Sequence, residues 1–197
     1  MPNKKTIVTT NATPNSIKEV QLKVVTFQEL WENYPSGNPY DNPAYSDQCA
    51  IRMSVTLHRV GIEMKSFSSK LVKPLSGQPS IGRIILPADG KVTATRANEL
   101  GEWLKLQPFA GLGKAENITG RDWVGKVKGR TGIIMFDGYW TRDGEVAGNA
   151  SGGHIDLWNG EKLTGFGTGL RVSLNIVVPG IWSDFRNSKT ILFFPVK

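Results

Sequence analysis

The sharpest boundary in this sequence lies at Cys49, where a stretch of turn-forming residues gives way to a helical pattern. Residues 35–48 contain Pro, Gly, Asn and Asp at short intervals, which is typical of a loop. The apolar residues that follow recur at helical spacing; they are Ile51, Val55, Leu57 and Val60. Gly61 is a helix-ending residue. These limits predict a helix from Cys49 to about Arg59, with Cys49 in its first turn.

Cys49 is the only cysteine in the chain. In the first turn of a helix, unpaired backbone N–H groups and the positive end of the helix dipole favour a thiolate over a thiol. A cysteine in that setting can have a pKa low enough to attack a carbonyl group at neutral pH. The alternative is that Cys49 is a small buried hydrophobic residue.

A cysteine nucleophile needs a histidine, and the chain has two, His58 and His154. His58 follows Cys49 by nine residues, or two and a half helical turns, so the two side chains point to opposite faces. We therefore expect His58 on the surface at the helix end. His154 opens an alternating run that ends in the Asn159-Gly160 turn, which predicts a strand. A histidine on a strand facing a cysteine at a helix start is the geometry of papain-like thiol peptidases.

Two sequence blocks carry a family resemblance. Residues 47–54 (DQCAIRMS) and residues 153–160 (GHIDLWNG) resemble the signature blocks of the fourth amidase-effector family of type VI secretion systems. Residues 132–136 (GIIMF) are similar to that family's strand before the histidine block. The resemblance covers roughly residues 22–165.

The resemblance implies a fold, an activity and a set of partners. The family's fold is related to NlpC-type cell-wall peptidases, and its members are toxins delivered into the periplasm of rival Gram-negative bacteria. They hydrolyse peptidoglycan stem peptides between D-glutamate and meso-diaminopimelate. Cys49 matches the nucleophile and His154 the general base. The implied partners are the secretion machinery and a periplasmic immunity protein that covers the groove.

The sequence departs from the family at the third catalytic position. The family commonly has an acid eleven residues after its histidine, where this chain has Gly165. With a two-residue turn at 159–160, residue 165 would lie opposite His154, within about 5.5 Å between Cβ atoms. The nearest acid in sequence is Asp156. It lies two residues along the same strand, about 6.5–7 Å away, so contact with His154 needs a bulge near Gly152-Gly153, a bent carboxylate or a water. A solvated strand residue or a turn partner is the alternative role for Asp156.

Three further residues are candidates for binding substrate. Tyr45 and Gln48 precede Cys49 and are the local candidates to assist its backbone N–H in holding an oxyanion, although each could equally anchor the loop. Trp158 lies on the histidine strand, where it could pack against a bound peptide or fill the core. One cysteine and two histidines cannot supply a closed zinc site at usual spacings, and we expect no metal or cofactor.

Composition narrows the class of protein and its partners. A chain of 197 residues is expected to form a single domain, residues 1–197, with residues 1–16 as a poorly ordered arm. The arm has no apolar core of a signal peptide, and no segment reaches membrane-spanning length, so we expect synthesis in the cytoplasm. The formal net charge is +7, but the basic residues are scattered and no nucleic-acid motif is present. Anionic peptidoglycan fits this charge, as does a general role in solubility.

The remaining periodicity predicts an α+β fold. Helices are expected over Phe27–Tyr34 and residues 94–106, before and after the Cys49 helix. Strands are expected at Thr131–Phe136, His154–Trp158, Leu170–Val178 and Thr190–Val196. The last contains Pro195, which is typical of an edge strand. Helices first and antiparallel strands later predict a nucleophile helix packed on an antiparallel sheet, as in the papain-like, NlpC-type fold.

The sequence therefore favours a cysteine peptidoglycan amidase. Two alternatives stay open. One is a non-catalytic module that binds the cell wall or a protein. The other is an acyltransferase on the same scaffold, in which an amine captures the acyl group instead of water.

Overall fold

A computed structural model of the chain describes residues 5–9, 17–21, 24–140, 152–164 and 184–197. The helices in chain order are α1 (Phe27–Glu32), α2 (Cys49–Arg59), α3 (Ala97–Leu104) and α4 (Trp123–Val127), with short 3-10 turns at Pro43–Tyr45 and Phe185–Asn187. The strands are β1 (Lys5–Thr9), β2 (Ile17–Gln21), β3 (Arg83–Ile85), β4 (Val92–Ala94), β5 (Glu116–Asn117), β6 (Gly132–Trp140), β7 (Gly152–Trp158) and β8 (Thr190–Pro195).

The centre of the fold is a four-stranded sheet in the order β5-β8-β6-β7, and every pair in it is antiparallel. β1 pairs with β2 and β3 with β4 in two separate hairpins. Among the described strands, β7 forms one edge of the central sheet. Helices α2 and α3 both contact β7. The edge strand that carries His154 is thereby placed beside the helix that begins at Cys49.

The central sheet is covered on both faces because its side chains alternate. On one face, α2 and α3 pack on Ile133, Met135, Ile155, Leu157 and Phe194. On the other face, a second cluster joins residues of α4 to residues of the sheet and of the second 3-10 turn; it contains Trp123, Val127, Ile134, Phe136, Trp158, Phe185 and Phe193. We call these the helix-side core and the α4-side core.

The predicted α+β architecture is confirmed, with the helices and strands close to their expected limits. The Cys49 helix has the predicted bounds. The helix expected over residues 94–106 is shorter, Ala97–Leu104, because Val92–Ala94 forms strand β4 instead. The expected strand Leu170–Val178 lies outside the described residues.

The prediction that the last strand lies at a sheet edge is wrong. β8 lies between β5 and β6. Pro195 is tolerated because backbone N–H groups alternate in direction along a strand, and the N–H of Val196 bonds to Thr131 on the β6 side. The nitrogen of Pro195 therefore faces the opposite side, where β5 pairs only with Leu192 and Phe193.

Part of the expected N-terminal arm is regular structure. Lys5–Thr9 forms β1 and pairs with Ile17–Gln21, within the segment for which the sequence predicts a poorly ordered arm; that expectation about order stays a prediction. The segment 6–10 (TIVTT) consists entirely of β-branched residues, which favour a strand once a partner is present. None of the helices that the structure describes is long and apolar enough to cross a membrane.

Candidate active site

Helix α2 begins at Cys49 without a side-chain cap. Gln48 occupies the N-cap position, but its side chain makes no capping hydrogen bond. Instead, its Nε2 donates to the carbonyl of Tyr40 at 2.5 Å, and its Oε1 accepts from the Tyr40 backbone N–H at 3.0 Å. This pair of bonds ties the preceding loop to the helix start. The N–H groups of the first helical turn are not used by a cap, so their partial positive charge can stabilise a thiolate beside them.

The thiol of Cys49 meets the histidine strand. The sulfur lies 4.0 Å from the carbonyl oxygen of Gly153, accepts a hydrogen bond from the backbone N–H of Ile155, and bonds to the imidazole of His154. Burial alone would raise the pKa of Cys49, but the hydrogen bond and the positive charge of His154 bring the pKa below its ordinary value. The surroundings therefore favour a thiolate.

The imidazole of His154 lies between the thiol and a carboxylate. Its Nε2 is 3.4 Å from Oδ2 of Asp156, and the ring also interacts with the thiol of Cys49. Burial tends to lower the pKa of His154, but the hydrogen bonds to Asp156 and Cys49 outweigh it and raise the pKa to about 9. The side chain retains 24% of its exposure, so a substrate can reach the ring. A thiolate and an imidazolium are thus favoured together.

The pairing of β7 with β6 is irregular just before His154. His154 is opposite Phe136 on β6 and Gly152 is opposite Trp140, so β6 has extra residues between these two pairs. From His154 through Asp156 to Trp158 the pairing is regular, so the shift lies beside Gly152-Gly153 and not between the histidine and the acid. The 3.4 Å contact of these two side chains therefore depends on how the carboxylate of Asp156 is turned.

The Asp156 carboxylate is held from the side away from His154. It is buried, and its Oδ1 accepts hydrogen bonds from the backbone N–H of Leu157 at 2.8 Å and from the hydroxyl of Thr164. Two donors on Oδ1 leave Oδ2 directed at the imidazole. An acid two positions from the histidine can therefore take the place of the cross-strand acid expected at position 165.

The predicted two-residue turn after β7 is wrong. Trp158 pairs with Leu163 instead of Glu161, and the N–H of Asn159 bonds to the carbonyl of Lys162 at 3.1 Å. The side chain of Asn159 accepts from the N–H groups of residues 161 and 162, and these bonds stabilise a longer turn. Gly165 lies outside the described residues, and the shifted register removes the reason to expect it opposite His154.

Tyr34 is a site residue that the sequence did not reveal. It follows α1 and lies near Thr164, whose hydroxyl donates to Asp156. Burial, followed by the charges of Asp156 and Cys49, raises the pKa of Tyr34 far above its ordinary value, so the phenol stays protonated. No motif marks Tyr34 or Thr164, since neither is near Cys49 or His154 in a recognisable pattern.

Two other contacts fix the histidine strand. The ring of His154 stacks on Phe185, with ring centroids 5.5 Å apart, and that ring stacks on Phe136 at 4.0 Å. On the other face, a Cβ built on Gly153 would lie 1.8 Å from Oδ1 of Asn98. Only glycine fits against α3 at this position, which explains the glycine directly before the histidine.

The three expected substrate-binding residues lie in different environments. Trp158 has 0% exposure, and its indole N–H donates to the carbonyl of Val127 at 2.9 Å, so the expectation that it contacts substrate is wrong. Its position on β7 faces the α4-side core. Gln48 is a loop anchor in this structure. Tyr45 is partly exposed and lines a polar cavity of about 480 Å³ beside β3 and β4; its ring is tilted at 45° to that of Tyr40, with the centroids 5.3 Å apart.

His58 is buried, so the expected surface position is wrong. Its exposure is 3%, its Nδ1 is 2.7 Å from Oδ2 of Asp89, and its Nε2 is 2.8 Å from the carbonyl of Val92. The β3-β4 hairpin covers the end of α2 and encloses the ring. The two side chains still diverge as expected, because His58 bonds to this hairpin and Cys49 to β7. Within the described residues, no group of three or more His, Cys, Asp or Glu could hold a metal ion.

Comparison with known proteins identifies the family of the chain. The model for type VI secretion system (T6SS), amidase effector protein 4 (Tae4), matches residues 45–194. No curated protein matches the sequence significantly. A crystal structure of the type VI effector Tae4 from Enterobacter cloacae has 17% sequence identity and a TM-score of 0.54, over 90% of this chain and 100% of that one.

A Tae4 effector from Salmonella typhimurium, solved in complex with the immunity protein Tai4 from Enterobacter cloacae, is similar at 18% identity and a TM-score of 0.53. That match covers 87% of this chain and 98% of that one. At such identities the structures support the fold alone, whereas the family model spans most of the sequence and both candidate catalytic residues. The chain therefore belongs to the Tae4 family of type VI secretion amidase effectors.

Proposed function

We propose that this chain is a cysteine peptidoglycan amidase of the papain-like, NlpC-type class. Cys49 is the nucleophile, His154 the general base and Asp156 the group that orients the imidazole. The observation that carries the proposal is the continuous row of contacts from Asp156 through His154 to Cys49 at the start of α2. Nucleophile, base and orienting acid in mutual contact are the requirement for covalent hydrolysis of an amide.

The reaction proceeds in two steps. The Cys49 thiolate attacks the amide carbonyl, and the tetrahedral intermediate collapses to a thioester as protonated His154 gives its proton to the leaving amine. Neutral His154 then takes a proton from water, and the resulting hydroxide attacks the thioester. The acid product leaves, and the thiolate and imidazolium are restored. Asp156 accepts from Nε2 throughout and keeps Nδ1 directed at the sulfur.

The uncapped start of α2 supplies electrostatic stabilisation. The backbone N–H of Cys49 is the donor we propose for the oxyanion. Gln48 contributes indirectly, because its two bonds to Tyr40 hold the loop that brings the helix start to the surface. Tyr45 belongs to the same loop, and we propose that it borders the path of the substrate.

The proposed substrate is the stem peptide of peptidoglycan, cleaved between D-glutamate and meso-diaminopimelate. Membership of an amidase-effector family supports amide hydrolysis, and the net charge of +7 suits an anionic polymer with free carboxylates. The target would be the periplasmic wall of a Gram-negative cell, reached through type VI secretion from the cytoplasm of the producer.

An immunity partner belongs to the same proposal. The similar Salmonella effector was solved bound to a Tai4 immunity protein. We propose that the producing cell holds a periplasmic protein of this kind, which blocks access to Cys49 and His154. Expression of the chain with an export signal should lyse a Gram-negative host, and expression without one should not. Equal toxicity in both compartments would contradict a wall target.

Digestion of purified Gram-negative sacculi tests the activity. Mass spectrometry of the muropeptides should show stems cut after D-glutamate, each cut exposing a new amine on meso-diaminopimelate. Cys49→Ala protein at the same concentration is the control and should leave the stems intact. Binding to sacculi without cleavage would indicate a non-catalytic module. Incorporation of an added amine in place of water would indicate an acyltransferase.

A further inference from the structure

We propose that Thr164 is a positioning residue for the catalytic acid, because its hydroxyl donates to Oδ1 of Asp156. The proposal rests on the proposed roles of Cys49, His154 and Asp156. It adds a residue from outside both signature blocks. Thr164 holds Oδ2 of the carboxylate against the imidazole.

The hydrogen bonds of the carboxylate divide between its two oxygens. Oδ1 accepts from the Thr164 hydroxyl and from the backbone N–H of Leu157, whereas Oδ2 is 3.4 Å from Nε2 of His154. Asp156 is 3% exposed and Thr164 is also buried, so water does not compete for these bonds. A hydrogen bond to a charged group is worth more in such surroundings than at the surface.

The geometry explains why such support is needed. Asp156 and His154 lie on the same strand, and their 3.4 Å contact depends on how the carboxylate is turned. The N–H of Leu157 alone fixes one oxygen and leaves rotation about that bond. The second donor, on Thr164, fixes the carboxylate plane. Without it, a buried carboxylate loses a donor and its orientation together.

Two segments meet in this contact. Asp156 is on β7, and Thr164 follows the turn after β7. Thr164 is placed by its neighbour Leu163, which is buried in the α4-side core and pairs with Trp158. The orientation of the acid thus depends on the turn that returns the chain to β7.

The rate of alkylation of Cys49 by iodoacetamide, measured across pH, tests the proposal without any peptidoglycan. Thr164→Val keeps the shape and removes the hydroxyl. We expect its kcat on sacculi to fall about ten- to a hundredfold with little change in KM, as for loss of a hydrogen bond to a charged group. The alkaline limb of its alkylation profile should move to lower pH, since a misplaced Asp156 no longer supports the imidazolium.

A second variant separates positioning from packing. Thr164→Ser restores a hydroxyl and should recover most of the activity and the wild-type alkylation profile. If Thr164→Val does not fold, Thr164→Ala removes the hydroxyl within a smaller side chain and takes its place, with the same expected fall in kcat and the same shift of the profile.

Thr131→Val is the matched control. Its hydroxyl donates to the carbonyl of Val196 at 2.6 Å, at the end of β6 remote from the pairing with His154. It should leave both readouts unchanged. The proposal is overturned if Thr164→Val matches this control, or if Thr164→Ser is as impaired as Thr164→Val. If the wild-type protein does not cleave sacculi and the Thr164 variant still shows the expected shift in its alkylation profile, the proposed substrate is rejected and the positioning role is retained.

Discussion

His58 and His154 each have a carboxylate partner, yet their surroundings give them different chemistry. His58 bonds through both nitrogens, to Asp89 at 2.7 Å and to the carbonyl of Val92 at 2.8 Å. His154 is 3.4 Å from Asp156 through Nε2, and its ring also interacts with Cys49. The shorter contact to an acid belongs to the histidine that we do not place in the active site.

The difference teaches that a close acid does not by itself mark a histidine as a candidate base, because access and a neighbouring thiol also count. Both nitrogens of His58 are occupied in a buried pocket, so the ring cannot exchange protons with a substrate and can only join α2 to the β3-β4 hairpin. The ring of His154 is partly exposed and linked to the one thiol of the chain. Substitutions at the two sites should therefore affect different quantities.

The largest effect is expected from Cys49→Ala and His154→Ala. Each should lower kcat on sacculi by about three orders of magnitude or more, because nucleophile and base act as a unit. The double variant should be scarcely worse than either single one. Urea unfolding should show that both single variants remain folded. Activity above a few percent of wild type in Cys49→Ala would reject the thiol mechanism.

Asp156→Asn should have the next largest effect, a fall in kcat of roughly one to four orders of magnitude. The amide keeps the size of the side chain but presents a neutral group to Nε2. The measurement is kcat together with the alkylation rate of Cys49. Unchanged values of both would remove Asp156 from the site and make its contact with His154 as structural as that of Asp89 with His58.

The pH dependence of activity follows from the reactive pair. The pKa of Cys49 is lowered and that of His154 is raised to about 9, so thiolate and imidazolium coexist between these two values. Activity should fall in acid as the thiolate is protonated, and fall above about pH 9 as His154 loses the proton needed by the leaving amine. A plateau that begins only near the ordinary thiol pKa, about 8.5, would contradict this pairing.

The same two pKa shifts also make stability depend on pH, and the two dependences run in opposite directions. The raised pKa of His154 contributes stability that is fully present below its ordinary value of 6.5 and is lost as pH rises through about 9. The lowered pKa of Cys49 contributes stability that is present above the ordinary thiol range and is lost as pH falls through the lowered value. Urea unfolding of wild type and His154→Ala across pH measures the first contribution.

The smallest effect on kcat is expected from His58→Ala. Removal of the ring leaves the carbonyl of Val92 without its partner in a buried place, which should lower the free energy of unfolding by about 1–3 kcal/mol. The catalytic residues are unaffected, so kcat at a temperature well below unfolding should match wild type, and so should both limbs of its pH profile. A loss of kcat larger than the loss of folded protein would contradict this division of roles.

Local patterns were sufficient to predict the helix that starts at Cys49, the strand that carries His154 and the α+β class. In each of these cases the periodicity and the turn residues act over a few neighbours. The longer turn after β7 was missed because the side chain of Asn159 bonds two N–H groups beyond the residues that define a two-residue turn. Asn-Gly alone does not exclude that arrangement.

The features that escaped prediction depend on contacts between distant segments. His58 is buried by a hairpin that begins at residue 83, and Trp158 is buried by α4. Thr164 bonds to Asp156 from beyond the turn after β7, and Tyr34 approaches Thr164 from the end of α1. A single sequence carries no periodic signal for such meetings, and only the packed fold brings these side chains together.

The coverage of the central sheet on both faces has a consequence for when the chain becomes reactive. Cys49 is attached to the helix-side core, whereas the ring of His154 rests on Phe136 and Phe185 in the α4-side core. A chain with only one of these halves assembled holds a thiol or an imidazole, but not the pair. Under the proposed mechanism, amidase activity would therefore arise only in the finished fold, after both halves have packed on the central sheet.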